Sequence, residues 1–483
     1  MENTLKLTRT HLASALLIAF TVTSNVMAQE SIDTKQNNIA IESDFMATAE
    51  GNVIIISQTA GAFGNDTLVF QEGEFNGTLI DVVGDANYVV VEQIGEGNIA
   101  VGSVFGAEND VYIMQDGIEA ETQLDIFGSM NDVTIVQVGG PAQLGFTNRT
   151  INIIEGDANS LDVFSGQGGN WTNNTVFGSG NDVEITQEDE WQESYVTIDG
   201  GDNSVEVEQS GFYGVANVTV FGFDNDITVE SDGEQNSVEF TVEGIDSSFD
   251  VDQNGDGNMA GSGIFEGFDN EGEITQMGDS NEATIETLMG EFNELTVSQI
   301  GSGNIGYAGV LGSFNTLEVT QVGDANQANA VNFNGFGNVV SIEQTGNGNL
   351  GLAQAVLEVD SLFADVNAIS LTQMGNENDG AITLASTGAA NGNEVSASQV
   401  GDLNLLDLVV NGDGNSIDIL QVGTGNWITA EDGSTFEMNA SFTSFSVEQL
   451  GNDNLIVGEI NGEGGSVLIS QIGDYNVATV YQN

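Results

Sequence analysis

A glycine recurs at every eleventh residue over one stretch of this chain, at Gly73, Gly84, Gly95, Gly106, Gly117, Gly128 and Gly139. Over the same stretch a glutamine recurs at every twenty-second residue, at Gln71, Gln93, Gln115 and Gln137. A fixed period of this size is typical of repeat architectures, in which each copy packs on its neighbours. Because only one of two similar halves carries glutamine, the pattern predicts a coil of about 22 residues with two strands and two turns.

Within a half-repeat the residues alternate as they do in a half-buried strand. In residues 315–323 one face holds Leu317, Val319 and Gln321, and the other holds Thr316, Glu318 and Thr320. A helical period would place Leu317 and Glu318 on neighbouring faces, so it does not fit. The half without glutamine usually has a small residue two places after Asn, at Ala100, Gly306 and Ala328. We therefore predict an all-β fold, a two-sheet β-solenoid with a thin interior.

Each glutamine strand leads into a Gly-x-x-Asn turn, and both residue types accept the left-handed backbone angles of a tight reversal. The turn residues that we single out are Gly95, Asn98, Gly301, Asn304, Gly323, Asn326, Gly473 and Asn476. The glutamines are predicted to stack on successive coils as an amide ladder, which stabilises cross-β structures. They are Gln71, Gln93, Gln115, Gln137, Gln187, Gln209, Gln253, Gln276, Gln299, Gln321, Gln344, Gln373, Gln399, Gln421, Gln449 and Gln471.

The beginning of the chain has the pattern of a secretory signal peptide. Lys6, Arg9 and His11 precede an apolar run at residues 12–22, which is too short for a membrane anchor. We expect a signal peptide at 1–28, a non-repeat segment at 29–50 that is extended and unpacked, and repeats at 51–483. The repeat register slips at four places, and each slip predicts a loop that bulges from a continuous stack. The slips lie near residue 140 and between Gln344 and Gln373, Gln373 and Gln399, and Gln421 and Gln449.

Composition excludes several classes of partner and chemistry. The chain has 74 acidic and four basic residues and no cysteine, for a net charge of −70. Nucleic acids and anionic membranes are therefore poor partners, and no disulfide can form. The one histidine is His11, and Lys35 and Arg149 are isolated in the sequence, so we expect no enzyme activity and no cofactor.

Two acidic positions are candidates for loose metal binding. Asp110 and Asp132 lie one repeat apart and face outward, so their carboxylates should be neighbours. Calcium prefers such oxygen ligands, and weak binding would relieve their repulsion, although surface acids are usually only solvated. The aromatic residues Phe105, Phe127, Phe177 and Phe221 mark turns of these coils. They predict a packed corner ladder or, alternatively, a carbohydrate-stacking stripe.

One repeat resembles a known family. The run Ser470-Gln471-Ile-Gly473-Asp-Tyr-Asn476-Val-Ala478-Thr-Val-Tyr-Gln482 is similar to the curlin repeat, a strand followed by Q-x-G-x-x-N-x-A, three residues and a second Gln. Residues 297–304 and 320–328 match its first half. The chain has about four times the usual number of repeats, and the second Gln survives plainly only as Gln482.

The resemblance implies a subunit of curli, the extracellular amyloid fibres of bacterial biofilms. Its implied partners are other copies or curlin subunits and the curli-type outer-membrane secretion machinery, with residues 29–50 as the secretion address. Edge strands of a stack also template further chains on physical grounds. We thus expect a secreted structural subunit for adhesion and biofilm matrix. The alternative is a soluble, monomeric acidic β-solenoid that acts as an adhesin or binds surfaces or ice, with calcium as a modulator.

Overall fold

The computed structural model describes residues 32–36, 40–42, 51–61, 63–140, 147–223, 225–245, 247–262, 265–268, 271–355, 365–384 and 390–482. The regular elements in these ranges are all β-strands, so the predicted all-β fold is confirmed. Within them, no helix has the length and apolar character needed to cross a membrane. The expected signal peptide, 1–28, lies outside the described residues.

The chain forms two compact units, Met1–Tyr213 and Gly214–Asn483. In the first unit the strands alternate between two parallel sheets. The Gln sheet, named for its inward glutamines, contains β4 (Asn65–Glu74), β6 (Tyr88–Glu96), β8 (Asp110–Ile118), β10 (Asp132–Gly139), β12 (Ser160–Ser165), β14 (Asp182–Gln187) and β16 (Ser204–Ser210). The facing sheet contains β3 (Val53–Ala60), β5 (Gly77–Asp85), β7 (Ile99–Ala107), β9 (Glu121–Phe127), β11 (Arg149–Glu155), β13 (Trp171–Phe177) and β15 (Glu193–Gly201).

The non-repeat segment contributes two short strands to the first unit. β1 (Ile32–Gln36) pairs antiparallel with Asn65–Val69 of β4, and β2 (Ala40–Glu42) pairs antiparallel with Ser57–Thr59 of β3. These parts of residues 29–50 are extended, as expected, but the expectation that they are unpacked is wrong. Unpaired backbone groups at a sheet edge favour the addition of a strand, which is the physical reason for the difference.

The second unit repeats the same arrangement. Its Gln sheet contains β18 (Asp226–Ile227), β19 (Glu230–Asp232), β22 (Ser248–Asn254), β25 (Glu271–Met277), β27 (Glu294–Ile300), β29 (Thr316–Val322), β31 (Val339–Thr345), β33 (Ala368–Met374), β35 (Glu394–Val400), β37 (Ser416–Val422), β40 (Ser444–Leu450) and β42 (Ser466–Ile472). Its facing sheet contains β17 (Val215–Phe223), β20 (Ser237–Glu239), β21 (Val242–Ile245), β23 (Met259–Ser262), β24 (Phe265–Phe268), β26 (Glu282–Glu291), β28 (Ile305–Ser313), β30 (Gln327–Phe336), β32 (Leu350–Gln354), β34 (Asp379–Leu384), β36 (Leu405–Asn411), β38 (Trp427–Thr429), β39 (Phe436–Ser441), β41 (Leu455–Glu463) and β43 (Val477–Gln482).

Equivalent residues of successive coils stand side by side in each unit, which makes each a β-solenoid. In β29, Leu317, Val319 and Gln321 are buried while Glu318 is exposed, as the alternation predicts. Small residues of the facing sheet complete the interior. A Cβ added at Gly306 would lie 2.7 Å from Cγ1 of Val297 and 3.1 Å from Nε2 of Gln299, so a larger residue at this position would have to displace the Val297 side chain.

Insertions leave the stack in register. Gln344 pairs with Gln373, Gln373 with Gln399, and Gln421 with Gln449, although each interval exceeds the usual repeat. In the last interval β38 and β39 both pair with β36 on one side and with β41 on the other. The residues between them therefore bulge outward from one coil, as the register slips predict.

Candidate functional site

The inward glutamines of the second unit form a hydrogen-bonded column. Each Nε2 donates to Oε1 of the glutamine on the next coil at 2.7 to 2.9 Å. The structure brings together in this way Gln253, Gln276, Gln299, Gln321, Gln344, Gln373, Gln399, Gln421, Gln449 and Gln471. All but Gln471 are completely buried, so these bonds replace bonds to water.

The same nitrogen atoms also tie the two sheets together. Nε2 of Gln321 donates to the carbonyl oxygen of Ile305 at 3.1 Å, and Nε2 of Gln299 donates to that of Glu282 at 2.9 Å. An amide nitrogen has two hydrogens, so one bond goes along the stack and one goes across it. Each glutamine thus fixes both the coil spacing and the sheet separation.

In the first unit the column is interrupted once. Gln71, Gln93, Gln115 and Gln137 are linked by bonds of 2.6, 2.7 and 2.9 Å, and Gln187 donates to Gln209 at 3.2 Å. Ser165 stands between Gln137 and Gln187 in the register. Two threonines of the facing sheet compensate, since Gln137 donates to Oγ1 of Thr150 and Thr172 donates to Oε1 of Gln187, both at 2.9 Å.

The turn asparagines form a second ladder of buried amides. Oδ1 of Asn304 accepts the backbone N–H of Asn326 at 3.0 Å and its Nδ2 at 3.1 Å, and Nδ2 of Asn326 also donates to the carbonyl of Gly346 at 2.8 Å. The backbone N–H of Asn98 donates to Oδ1 of Asn76, and Asn476 donates to Oδ1 of Asn454 through both its backbone N–H and its Nδ2. The left-handed residue is the one before each asparagine, such as Ala325 with φ 55°. Asparagine is therefore needed for its buried amide and not for its backbone.

The turn glycines are required by both conformation and space. Gly323 has φ 118°, and an added Cβ would overlap the carbonyl oxygen of Gly346 on the next coil. Because that atom is backbone, it cannot move aside as a side chain could. Similar values of φ occur at Gly95, Gly301 and Gly473.

Outward turn acids also take part in the stack. Oδ1 of Asp324 accepts the backbone N–H of Ser302 on the preceding coil at 3.0 Å, and Oδ1 of Asp402 accepts that of Asn376 at 2.9 Å. A carboxylate that accepts a backbone N–H satisfies a donor that the turn leaves open. Some of the acidic residues that give the chain its large negative charge therefore have a structural role, since they satisfy backbone donors in the turns.

Like charges come close at two outward positions of the second unit. Partial burial, and then repulsion from Glu273, Asp252 and Asp226, raises the pKa of the Asp250 carboxyl. Burial followed by repulsion from Asp407 likewise raises the pKa of Asp379. At such positions the ionised carboxylate opposes folding.

The two candidate calcium residues are neighbours, but they do not belong to a larger cluster of possible ligands among the described residues. Asp110 and Asp132 are register partners on β8 and β10, and both are exposed. Within the described parts of the chain, no group of three or more acidic or histidine side chains could hold a metal ion. Calcium binding stays a prediction.

Aromatic rings stack along the corners over short distances. The rings of Phe105 and Phe127 lie 5.3 Å apart and are nearly parallel, but Glu155 separates Phe127 from Phe177 in the register. The side chain of Phe221 is outside the described part. In the second unit Phe314 lies 4.8 Å from Phe292 and 4.9 Å from Phe336. Each contact joins adjacent coils, which supports corner packing.

The last described coil has an open inner face. Val467 and Ile469 of β42 are half-buried, whereas their register partners Phe445 and Val447 on β40 are at most 2% exposed. Gln471 accepts from Gln449 and donates to the carbonyl of Leu455 at 3.1 Å. Among the described residues it has no glutamine to which it can donate along the stack. A further strand could cover this coil and continue its bonds.

Sequence comparison identifies the repeat itself. The curlin associated repeat matches at residues 84–117, 178–211, 200–233 and 290–323, which lie in both units. No curated protein matches the chain in a comparison of whole sequences. The matched segments contain glutamine strands, Gly-x-x-Asn turns and facing strands of the geometry described above. Curlin associated repeats are therefore present in both units of this chain.

Proposed function

We propose that this chain is a secreted structural subunit of a curli-like extracellular fibre that acts in cell adhesion and biofilm matrix. Curlin repeats and the β-solenoid fold together support a curli-like structural role and self-association. The family and the fold are structural rather than enzymatic. In this proposal the subunit reaches the cell surface through curli-type secretion machinery and grows by edge-strand pairing.

The observation that carries the proposal is the open coil formed by β42 and β43. Its inward side chains Val467 and Ile469 are only half-buried, whereas their register partners Phe445 and Val447 are at most 2% exposed. Burying a side chain of this size contributes about 1.5–3 kcal/mol. Backbone groups at the same edge would gain partners from an added strand. A second copy offers strands of the required length and pattern.

The charge distribution supports association at this end. Only 21 of the 74 acidic residues fall within residues 301–483. Repulsion between like charges opposes sheet extension, so a less acidic end is the better site for it.

The alternative, a monomeric surface-binding or ice-binding solenoid, has weaker support. It calls for a regular outward column of hydroxyl groups, such as Ser370 and Ser396 provide on adjacent strands. Glu318 lies in that column, and Glu343 interrupts the neighbouring one. The fibre proposal therefore accounts for more of the molecule.

The test is polymerisation of purified residues 29–483, followed by thioflavin fluorescence and electron microscopy. Fibres are expected from the wild type. Ile469→Lys places a charge on the open inner face and is expected to slow elongation roughly ten-fold or more, as the cost of burying an unpaired charge implies. Ser470→Lys, on the outward side of the same strand, is the matched control and should elongate within about two-fold of the wild type. A wild type that stays monomeric would refute the proposal.

A further inference from the structure

The first repeat strand of the first unit and the last strand of the second unit both belong to a facing sheet. At one end the first repeat strand, β3, belongs to the facing sheet and is followed by β4 of the Gln sheet. At the other end β42 of the Gln sheet is followed by β43 of the facing sheet. Each end thus carries an outermost strand of the facing sheet.

Because both ends carry an outermost strand of the facing sheet, stacking two copies end to end leaves a gap in the Gln sheet. Suppose that β43 of one copy pairs with β3 of the next at the ordinary strand spacing of about 4.8 Å. Successive strands of a coil alternate between sheets, so β42 and β4 then lie two strand spacings apart. The Gln sheet would lack one strand at the junction, and the unpaired backbone groups on both sides would be left without partners.

β1 already lies at the position of the missing strand. Five residue pairs join it to β4, from Ile32 with Val69 to Gln36 with Asn65. Its direction also fits: a strand antiparallel to both β4 and β42 keeps those two parallel to each other, as in the rest of the sheet. An antiparallel strand in an otherwise parallel sheet is common.

β2, in contrast, lies where β43 must pair. It covers β3 through only three residue pairs, from Ala40 with Thr59 to Glu42 with Ser57. β43 makes six residue pairs with β41 on its other side, so it can offer β3 a longer partner than β2 does. Exchange of β2 for β43 is therefore favourable, whereas loss of β1 would open the gap.

The glutamine column agrees with a strand between the copies. β1 pairs with β4 only as far as Val69, and Oε1 of Gln71 is buried with no hydrogen-bond partner among the described residues. Oε1 of Gln253, whose register partner is Ser231, is also buried with no hydrogen-bond partner among the described residues. Ser165 likewise takes the place of a glutamine in the column of the first unit. Strands without glutamine are thus already accommodated inside this solenoid.

We propose that Ile32–Gln36 is a junction strand. In this inference, which rests on the proposed self-association, β1 stays on β4 and receives β42 of a second copy on its free edge. At the same time β2 leaves β3, which then pairs with β43 of that second copy. The partner at this surface is a second copy of the chain.

Two reversible locks test the proposal, because the chain has no cysteine of its own. Asp33→Cys with Leu68→Cys joins register partners and holds β1 on β4, and Glu42→Cys with Ser57→Cys does the same for β2 on β3. Directly opposite residues of an antiparallel pair are within disulfide reach. Elongation of the full chain is measured in oxidised and reduced forms, with the four single-cysteine variants as controls.

The oxidised β1 lock is expected to elongate within about two-fold of its reduced form. The oxidised β2 lock should elongate roughly ten-fold slower or not at all, because several backbone pairs at the junction cannot form, and reduction should restore the rate. If the β1 lock stops elongation, or the β2 lock does not, the junction strand is wrong while the fibre proposal stands. If the wild type itself fails to elongate, the fibre proposal fails and this inference fails with it.

Discussion

Nε2 of Gln321 lies 2.8 Å from Oε1 of Gln344 on the next coil and 3.1 Å from the carbonyl oxygen of Ile305 on the facing sheet. One buried amide thus joins three strands, since β29, β31 and β28 meet at this residue. The same pair of bonds recurs along the column. Each such glutamine therefore links neighbouring strands of the Gln sheet and links that sheet to the facing sheet.

Substituting Gln321→Leu should destabilise the solenoid strongly. The change removes the bonds that the Ile305 carbonyl, Oε1 of Gln344 and Nε2 of Gln299 make to Gln321, in a completely buried place. Each unsatisfied buried group costs about 1–3 kcal/mol, so we expect a loss of roughly 2–4 kcal/mol after relaxation. The readout is the guanidinium midpoint, with protection of the neighbouring amides from hydrogen exchange as a local check.

Gln327→Leu is the matched control for the ladder. Gln327 is exposed at the start of β30, between Ile305 and Leu350 in the register. The same chemical change there should alter the midpoint by at most about 0.5 kcal/mol. Equal effects of the two substitutions would argue against the ladder as a source of stability.

Two glycines of neighbouring turns allow a comparison of space with conformation. Gly323→Ala meets the Gly346 carbonyl and a left-handed φ of 118°, and should cost roughly 2–4 kcal/mol. Gly303→Ala keeps a φ of 67° with no atom within 4 Å of the new Cβ, and should cost only about 1–2 kcal/mol. Thermal unfolding of both variants would show whether close approach of coils, rather than φ alone, selects glycine.

The fold could be predicted from the sequence because the same residue pattern recurs from coil to coil. The alternation around Leu317 and the 22-residue spacing of Gln93 and Gln115 require two strands per coil, and the two sheets follow. The sequence analysis assigned the turn asparagines a left-handed backbone, because such a turn explains Gly-x-x-Asn equally well. The structure distinguishes a conformational role from a hydrogen-bonding role, because Ala325 has the left-handed φ while Asn326 bonds to Asn304.

Contacts that occur once could not be read from the repeat. Asn152 and Asn174 form an inward amide pair at 2.8 Å, in a column where other coils carry Leu124 and Val196. Pairing of β1 with β4 uses backbone groups, which leave no pattern in residue type. Periodicity predicts what coils share, whereas these features depend on one coil or on one edge.

Asp250 should make stability depend on pH. Its pKa is raised in the folded state, so the folded protein binds the proton more tightly than the unfolded chain. This carboxyl therefore opposes folding at neutral pH, and the penalty fades as the pH falls through the raised pKa toward the usual carboxyl range. Asp250→Asn should stabilise the protein near pH 7, with the gain disappearing near pH 4.

Asp418→Asn provides the control for that pH dependence. Asp418 is also an outward carboxylate, but its register partners are Ser396 and Ser446, so it has no charged neighbour across the strands. The difference in denaturant midpoint between this variant and the wild type should vary less with pH than it does for Asp250→Asn. A larger pH effect at Asp418 would contradict the assignment.

Residues 29–50 are predicted to act as a secretion address. Deleting them should abolish surface display, detected with antibody on intact cells. The denaturant midpoint of the purified protein should change little, since the loss includes only the five and three edge pairs of β1 and β2 among the described contacts. A scrambled segment of the same length separates an address from a spacer, and normal display of the deletion variant would exclude the idea.

Calcium is predicted to act on assembly through neighbouring outward carboxylates. Asp110 and Asp132 face each other across one strand spacing, where two unit charges repel by roughly 1 kcal/mol in water. Carboxylates that meet at a junction between copies repel in the same way, so millimolar calcium or mildly acidic pH should speed fibre elongation, and monovalent salt should do so less at equal concentration. The double substitution Asp110→Asn with Asp132→Asn lies within one copy, so it should raise the calcium-free denaturant midpoint of the subunit and reduce the response of that midpoint to calcium. Asp182→Asn, which removes a carboxylate flanked by Ser160 and Ser204, should leave that response largely intact. Elongation rates that stay flat with pH and calcium in the wild type would show that outward charge does not control assembly.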